Sequence, residues 1–408
     1  MKKRLVSRLP MLLLAILATA CVYDFNPDLS GEEGILIVEG DIVLGQTSSF
    51  SIRRSSALDS WNLYEFAAYS NLRVEASDGT LYPERAFGPE GPFSRGGGQI
   101  DLRGADPSLE YRLAFDCEGR HYASHWTSIV PNAVIDSMSF AINDAKTDIS
   151  VRISTHSNES TGYYRWTAFE TWEYRAERFA TYYFLPAGSQ YKGQPLQEDS
   201  ILPYENGENL FYCWSSEQRG GLMTATTESL SEDRLVDHEL YTLNYHDRKI
   251  SYVYSVEVNQ TRITEEAYRY WQMMERNSTN VGGLFSPEPS ELRGNIVNVD
   301  DEAEMVLGYV SVVNPVKYRL FIDDREIRFY KELNPRLVPD YLVPGKPNWS
   351  IIYREGWLPV SEYEPDNPEV TTRPGYVQLY NWLPANCVDC RFQGGTKQKP
   401  AYWPTPEI

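Results

Sequence analysis

Apolar and polar residues alternate with a period of two along much of this chain, the signature of half-buried β-strands. The run Ile35–Leu44 is a first strand candidate, with Gly40 where a bulge would fit. Tyr69–Glu75, Tyr111–Asp116 and Tyr122–Ser128 continue the series, with Phe87–Gly98 as a Gly/Pro loop between them. A second series begins after Val130-Pro131. Ile149, Val151 and Ile153 alternate with polar residues, and Tyr163–Tyr174 is aromatic-rich. Ile250, Tyr252, Tyr254, Val256 and Val258 make the most regular alternation, followed by Val306–Val313 and Tyr318–Asp323. The expected fold is mainly β. An immunoglobulin- or fibronectin-like sandwich over 34–131 precedes a larger β-domain over 132–408.

The period changes once, over Thr264–Arg276, where a helix is expected. Thr264 suits the N-cap, and Glu265 and Glu266 suit the positive end of the helix dipole. Ala267, Tyr270, Trp271 and Met274 share its apolar face. From Pro359 onward the chain is rich in Pro, Trp and Tyr, with few clear strands.

The amino terminus has a different character. Lys2, Lys3, Arg4 and Arg8 precede the apolar run Met11–Ala18, and Thr19-Ala20-Cys21 follows. A basic segment, a short apolar core and small residues are the layout of a secretory signal. The run falls short of the roughly 20 apolar residues that span a bilayer. A cysteine directly after the small residues predicts cleavage before Cys21 and lipidation of its thiol, which anchors the protein to a membrane. Residues 1–20 are then the signal and 21–33 a polar tether. Asp24, Asn26, Asp28 and Ser30 alternate as in a calcium loop, but Leu29 stands where such a loop needs glycine.

The formal charge of the whole chain is −19, and loss of the basic signal makes the mature form more acidic still. Such a charge disfavours nucleic acid and anionic lipid headgroups as partners. The 29 Tyr, 15 Phe and 10 Trp serve mostly as β-core, with a remainder suited to a binding face.

No reaction centre is legible. His121 and His125 have the spacing of a helical metal pair, but four positions along a strand span about 13 Å, too far for one ion. The remaining histidines, His156, His238 and His246, are scattered. The acids Asp300-Asp301-Glu302 and Asp323-Asp324 suit turns. No catalytic residue, metal or cofactor is expected. If Cys21 carries lipid, Cys117, Cys213, Cys387 and Cys390 remain in an oxidising compartment, and four thiols allow three connectivities. Cys387-Val388-Asp389-Cys390 has redox or zinc spacing. Its Pro/Gly context favours a structural disulfide that pins the tail, with Tyr402 and Trp403 docked on the second domain.

The segments ILIVEGDI (35–42), LEYRLAF (109–115), IVPNAVIDS (129–137) and YCW (212–214) fall in an order shared with a known family. TEEAYRYWQMME (264–275), GGLFSPEPSELRGNI (282–296), VLGYVSV (306–312) and NCVDCRFQGGTKQKPAYW (386–403) extend the likeness. The chain resembles the Bacteroidota lipoproteins catalogued as domain of unknown function 4249. Cys117 lies outside that pattern. The resemblance implies an outer-membrane lipoprotein working near a TonB-dependent receptor in nutrient uptake, and carries over no catalytic residue. The function expected is a non-enzymatic accessory that captures a small ligand for the transporter or docks on it. A structural or adhesive surface protein and a hydrolase of unrecognised site are the alternatives.

Overall fold

A computed structural model describes residues 34–56, 64–85, 96–205, 210–244, 247–279, 293–323, 325–326 and 338–404. The signal, Cys21, the tether, most of the Phe87–Gly98 loop, His246 and Asp324 lie outside the described residues. The fold is mainly β, as the alternation requires.

In the first sandwich, one sheet holds Leu36–Glu39, Thr47–Ser55, Tyr64–Phe66 and Gly97–Asp101, and the other holds Tyr69–Ala76, Leu81–Pro83, Glu110–Cys117 and Arg120–Ser124. Their inward residues, among them Val38, Phe50, Val74, Leu113 and Tyr122, form one core. Gly40 is needed where it stands. Its φ is +138°, and a Cβ there would lie 2.5 Å from the Ser49 carbonyl oxygen.

That sandwich is not closed by residues 34–131 alone. Ile296–Asn298 pairs antiparallel with Arg120–Ser124, and Val306 and Val312 lie parallel beside Leu36 and Ile42. Ile296, Val306, Val310 and Val312 are buried in the first core. The reach 132–408 therefore lends a segment back to its neighbour. Doing so covers two sheet edges that would otherwise be open. Val306–Val313, expected as one strand, is two short pairings, Val306–Leu307 and Val312–Val313, broken at Gly308.

The second sandwich packs Val134–Ile142, Asp148–His156 and Arg234–Asn244 against Tyr212–Gln218, Tyr163–Arg175, Tyr254–Arg262 and Val316–Ile322. Trp166 fills its centre, and its indole N–H donates to Gln260 Oε1 at 2.9 Å. The strand expected over 250–258 begins later, at Tyr254, and runs to Arg262. Arg248–Ile250 is instead a 3-10 turn capped by Asp247. That turn carries Lys249 to the buried carboxylate of Glu170, 2.6 Å away. Glu170 also accepts from Arg219 Nη1 at 3.0 Å and Tyr254 OH at 2.6 Å. A full set of partners makes its burial tolerable.

The carboxy-terminal region holds more regular structure than its composition suggests. Trp357–Glu362 pairs with Tyr380–Pro384, and helix Trp349–Arg354 lies beside them. Together with the hairpin of Tyr182–Leu185 and Ser200–Pro203 they enclose Phe184, Trp349 and Trp382. Trp403 is buried and donates to Glu173 Oε2 at 3.2 Å; Tyr402 OH lies 2.8 Å from Thr171 Oγ1. The tail thus docks on the second sandwich.

Cys213 and Cys390 form a disulfide across 177 residues, from strand Tyr212–Gln218 to the tail. Of the four candidate cysteines, the structure joins these two. Cys117 is buried in the first core and Cys387 in the carboxy-terminal core, both outside this bond. The C-x-x-C is therefore not closed on itself: Cys390 turns toward strand Tyr212–Gln218. Among the described residues no helix is long and apolar enough to cross a membrane, and no cluster of three or more His, Cys, Asp or Glu could hold a metal.

Candidate ligand cleft

Helix Glu265–Thr279 is wedged where the two sandwiches meet. Thr264 caps it, accepting from the Ala267 N–H at 3.2 Å. Ala267 and Tyr270 are buried as the pattern requires, but Met274 is exposed and Tyr268 is buried. Its first turns have neighbours on more than one side, so Tyr268 meets Tyr163 with ring centres 5.3 Å apart. A single amphipathic face does not describe a helix held between two bodies.

A cleft of about 840 Å³ opens between this helix and the crossover segment 125–131, in which Thr127 and Ser128 are strand. Trp126, Thr127 and Ser128 form one wall, Glu266, Arg269, Tyr270 and Met273 the other, and Gly294, Asn295 and Tyr309 lie between. The volume is in the range of ligand pockets, about 300–1,000 Å³. Two glycines shape this region. A Cβ on Gly294 would stand 1.6 Å from the Gly308 carbonyl oxygen, and one on Gly308 would stand 2.0 Å from that of Val38. Side chains at either place would force the chains apart. Tyr270 OH accepts from the Gly308 N–H at 3.0 Å, which ties the helix to this crossing.

Trp126 is 41% exposed. It is held by charge rather than by packing alone. The Arg112 guanidinium lies 4.6 Å from its ring centre, within cation–π reach. Arg112 Nε in turn donates to Glu75 at 2.8 Å, and so does Arg73 Nε. Burial acts to raise the Glu75 carboxyl. The hydrogen bonds from Arg112 and Arg73 outweigh it and hold the group below the usual carboxylate value. A large apolar surface kept in solvent by a rigid charged support is a feature of binding faces.

His125 lines this cleft, but His121 points elsewhere, with its Nδ1 2.6 Å from Asp116 Oδ1. The acids at 300–302 sit in a turn closed by Asn298, whose Oδ1 accepts from the Asp300 and Asp301 N–H groups. Asp323 likewise caps a turn, accepting from the Arg325 N–H. Sequence patterning placed none of the cleft residues together. Thr264 and Tyr270 were visible as helix residues, and Trp126 and Ser128 as members of the strand expected over Tyr122–Ser128.

Two histidines give a pH test. A hydrogen bond donated to the Asp116 carboxylate raises His121 above 6.5, while burial against Trp166, 5.5 Å between ring centres, lowers His238 below it. The His121 contribution to stability is complete below its unfolded value and is lost as pH rises through its folded value. For His238 the sign is opposite: its contribution is present above the unfolded value and is lost as pH falls. Proton NMR titration should show two midpoints on either side of 6.5. A common midpoint would contradict both environments.

Fold and cleft define a tandem β-sandwich protein with an aromatic-walled cleft at the junction of its two bodies. The chain belongs to the family described as "Domain of unknown function (DUF4249)", whose profile matches residues 22–319. No curated protein sequence matches it. Among solved structures, a likeness is found to "Enterococcal surface protein, partial N-terminal region", at 9% identity, covering 58% of this chain and 92% of that one. Its TM-score is 0.11, so that likeness supports no inference about fold or function.

Proposed function

We propose that this is a non-enzymatic outer-membrane lipoprotein of the Bacteroidota type, anchored through Cys21, that captures a ligand for a TonB-dependent transporter. The observation that carries the capture role is the junction cleft, with Trp126 propped in solvent opposite Tyr270 and Met273. The anchor rests on the basic, apolar, small-residue and cysteine layout of the first 21 residues. Replacing Cys21 with serine is expected to abolish lipidation and move the protein from the membrane fraction to the soluble one. Persistence of Cys21→Ser in membranes would remove the anchor from this reading. For capture, native lipoprotein is isolated and its bound molecules are identified by mass spectrometry. The same isolation with Trp126→Ala/Arg269→Ala should lose them. Arg269 is largely exposed and Trp126 is 41% exposed, so an unfolding midpoint recorded on the same double variant keeps loss of fold apart from loss of ligand. Equal recovery from both proteins would exclude the cleft as the capture site.

A further inference from the structure

The sheet of Val134–Ile142, Asp148–His156 and Arg234–Asn244 lays one face on the second core, through Ile149, Val151 and Ile153, so Asp148, Ser150 and Arg152 face outward. The register aligns rows of side chains across that outer face. Ala141 stands opposite Ser150, and Ser150 opposite Thr242. Arg152 stands opposite Glu239, and Asp148 opposite Asn244. A row of three short side chains therefore runs between two rows of longer ones. A trough of about 170 Å³ lies over the short row, with Asn143 and Asp148 at one end and Arg152 and Glu239 at the other. It shares no lining residue with the junction cleft.

The two ends differ. Both oxygens of Asp148 are occupied: Oδ1 accepts from Asn244 Nδ2 at 2.9 Å, and Oδ2 from Thr147 Oγ1 at 2.7 Å and Asn143 Nδ2 at 2.8 Å. Those bonds, led by the one from Thr147, hold its carboxyl below the usual value. At the other end, opposite charges face each other across two strands without joining. Arg152 and Glu239 are cross-strand partners, an arrangement that favours an ion pair, yet the bonds they make go elsewhere. Arg152 Nε donates to Ser150 Oγ at 3.0 Å, and Glu239 Oε1 accepts from Thr242 Oγ1 at 3.0 Å. Val151 faces Tyr241 and Arg152 faces Glu239, so Leu240 is an extra residue that skews the pair. Each charge is thus drawn onto the short row by one of its hydroxyls. The terminal guanidinium nitrogens and Glu239 Oε2 have no hydrogen bond or ion pair among the described residues.

We propose that this trough binds a small zwitterion, a free α-amino acid, with its carboxylate on the Arg152 guanidinium and its ammonium on Glu239. Guanidinium and carboxylate make a two-pronged, charge-assisted contact. A simple anion would also meet Glu239 and Asp148, and a simple cation would meet Arg152. A molecule carrying both charges a short way apart answers both groups and is repelled by neither. The volume sets the size, since it falls below the roughly 300–1,000 Å³ of drug-sized pockets. The apolar part of the lining is Ala141 and Ile142, which suits a small side chain. Holding each charge in place by a hydroxyl beforehand lowers the ordering cost of binding. The proposal stands apart from the capture reading: the trough lies on the sheet opposite the one that carries helix Glu265–Thr279.

The test is isothermal titration of the soluble Cys21→Ser protein with glycine, alanine and serine, each beside its amide and its N-acetyl derivative. The free amino acids should bind, and removal of either charge should weaken binding about tenfold. On the protein side, Arg152→Met and Glu239→Gln should each weaken alanine binding about tenfold at an unchanged unfolding midpoint. Trp126→Ala/Arg269→Ala should bind alanine as the wild type does. No saturation by any of the three at a Kd of about 1 mM or below overturns the site. Equal binding of alanine and N-acetylalanine overturns the zwitterion, and this comparison needs no variant, so it holds even if Arg152→Met does not fold. Alanine binding untouched by both trough substitutions, or lost in the cleft variant, places the amino acid elsewhere and overturns the trough. Failure here leaves capture by the cleft standing, and equal recovery of ligand from the cleft variant leaves the trough standing.

Discussion

Replacing Asp233 with alanine is expected to destabilise the second sandwich by about 3–5 kcal/mol, the range for removing one member of a buried ion pair. Asp233 is fully enclosed and Arg262 nearly so, with Nη2 3.3 Å from Oδ2. The carboxylate also accepts from Tyr164 OH at 2.8 Å and Thr227 Oγ1 at 2.9 Å. Without it, the guanidinium keeps only the carbonyls of Pro131 and Thr161, at 3.0 and 2.9 Å, and three hydroxyls, those of Tyr164, Thr227 and Ser157, lose an acceptor. Arg262 leads directly into the helix that walls the cleft, so this substitution should also loosen the junction. Asp233→Asn, which keeps an acceptor, should cost less. Denaturant unfolding followed by Trp fluorescence measures both. A loss under about 1 kcal/mol in Asp233→Ala would mean that the hydroxyl and carbonyl contacts hold the site without the charge.

The second large effect belongs to the disulfide. Cys213 and Cys390 are 177 residues apart, and chain entropy for so long a loop gives an upper value of about 5 kcal/mol. Cys390→Ser should lower the unfolding midpoint and raise protease sensitivity within 338–404 first, because the bond fastens that region to the second sandwich. The bond's neighbourhood supplies the reason. Trp214 and Thr396 exchange backbone hydrogen bonds of 2.9 and 2.8 Å, and a Cβ on Gly395 would stand 2.6 Å from Cys213 Cβ. These few contacts are local and modest beside the covalent link. Mass mapping of non-reduced protein should find the 213–390 peptide pair. A bond between Cys387 and Cys390 instead would overturn the assignment, and an unchanged midpoint in Cys390→Ser would show that Tyr402 and Trp403 suffice to hold the tail.

Much was determined by the sequence alone, because it depends on neighbours along the chain. Alternation at Ile149, Val151 and Ile153 specifies a strand with one face buried, and all three are buried. Thr264 with two following glutamates specifies a helix start, and the cap bond is made. A Pro-rich tail with two cysteines points to covalent fastening. Each of these needs only a few consecutive residues and a period. The tertiary structure decided what requires residues far apart to meet. No local pattern tells that Val306 and Val312 lie beside Leu36 and Ile42, since parallel pairing leaves no turn between partners to read. The choice of Cys213 for Cys390 was one of several pairings, resolved only when strand Tyr212–Gln218 reached the tail. Tyr268 became core because a second body stands behind the helix, a fact absent from the helix's own period. The cleft itself exists because helix Glu265–Thr279 and residues 125–131, far apart in the chain, line one cavity. A chain read one residue at a time contains no mark for a cavity lined by segments that meet only in the folded molecule.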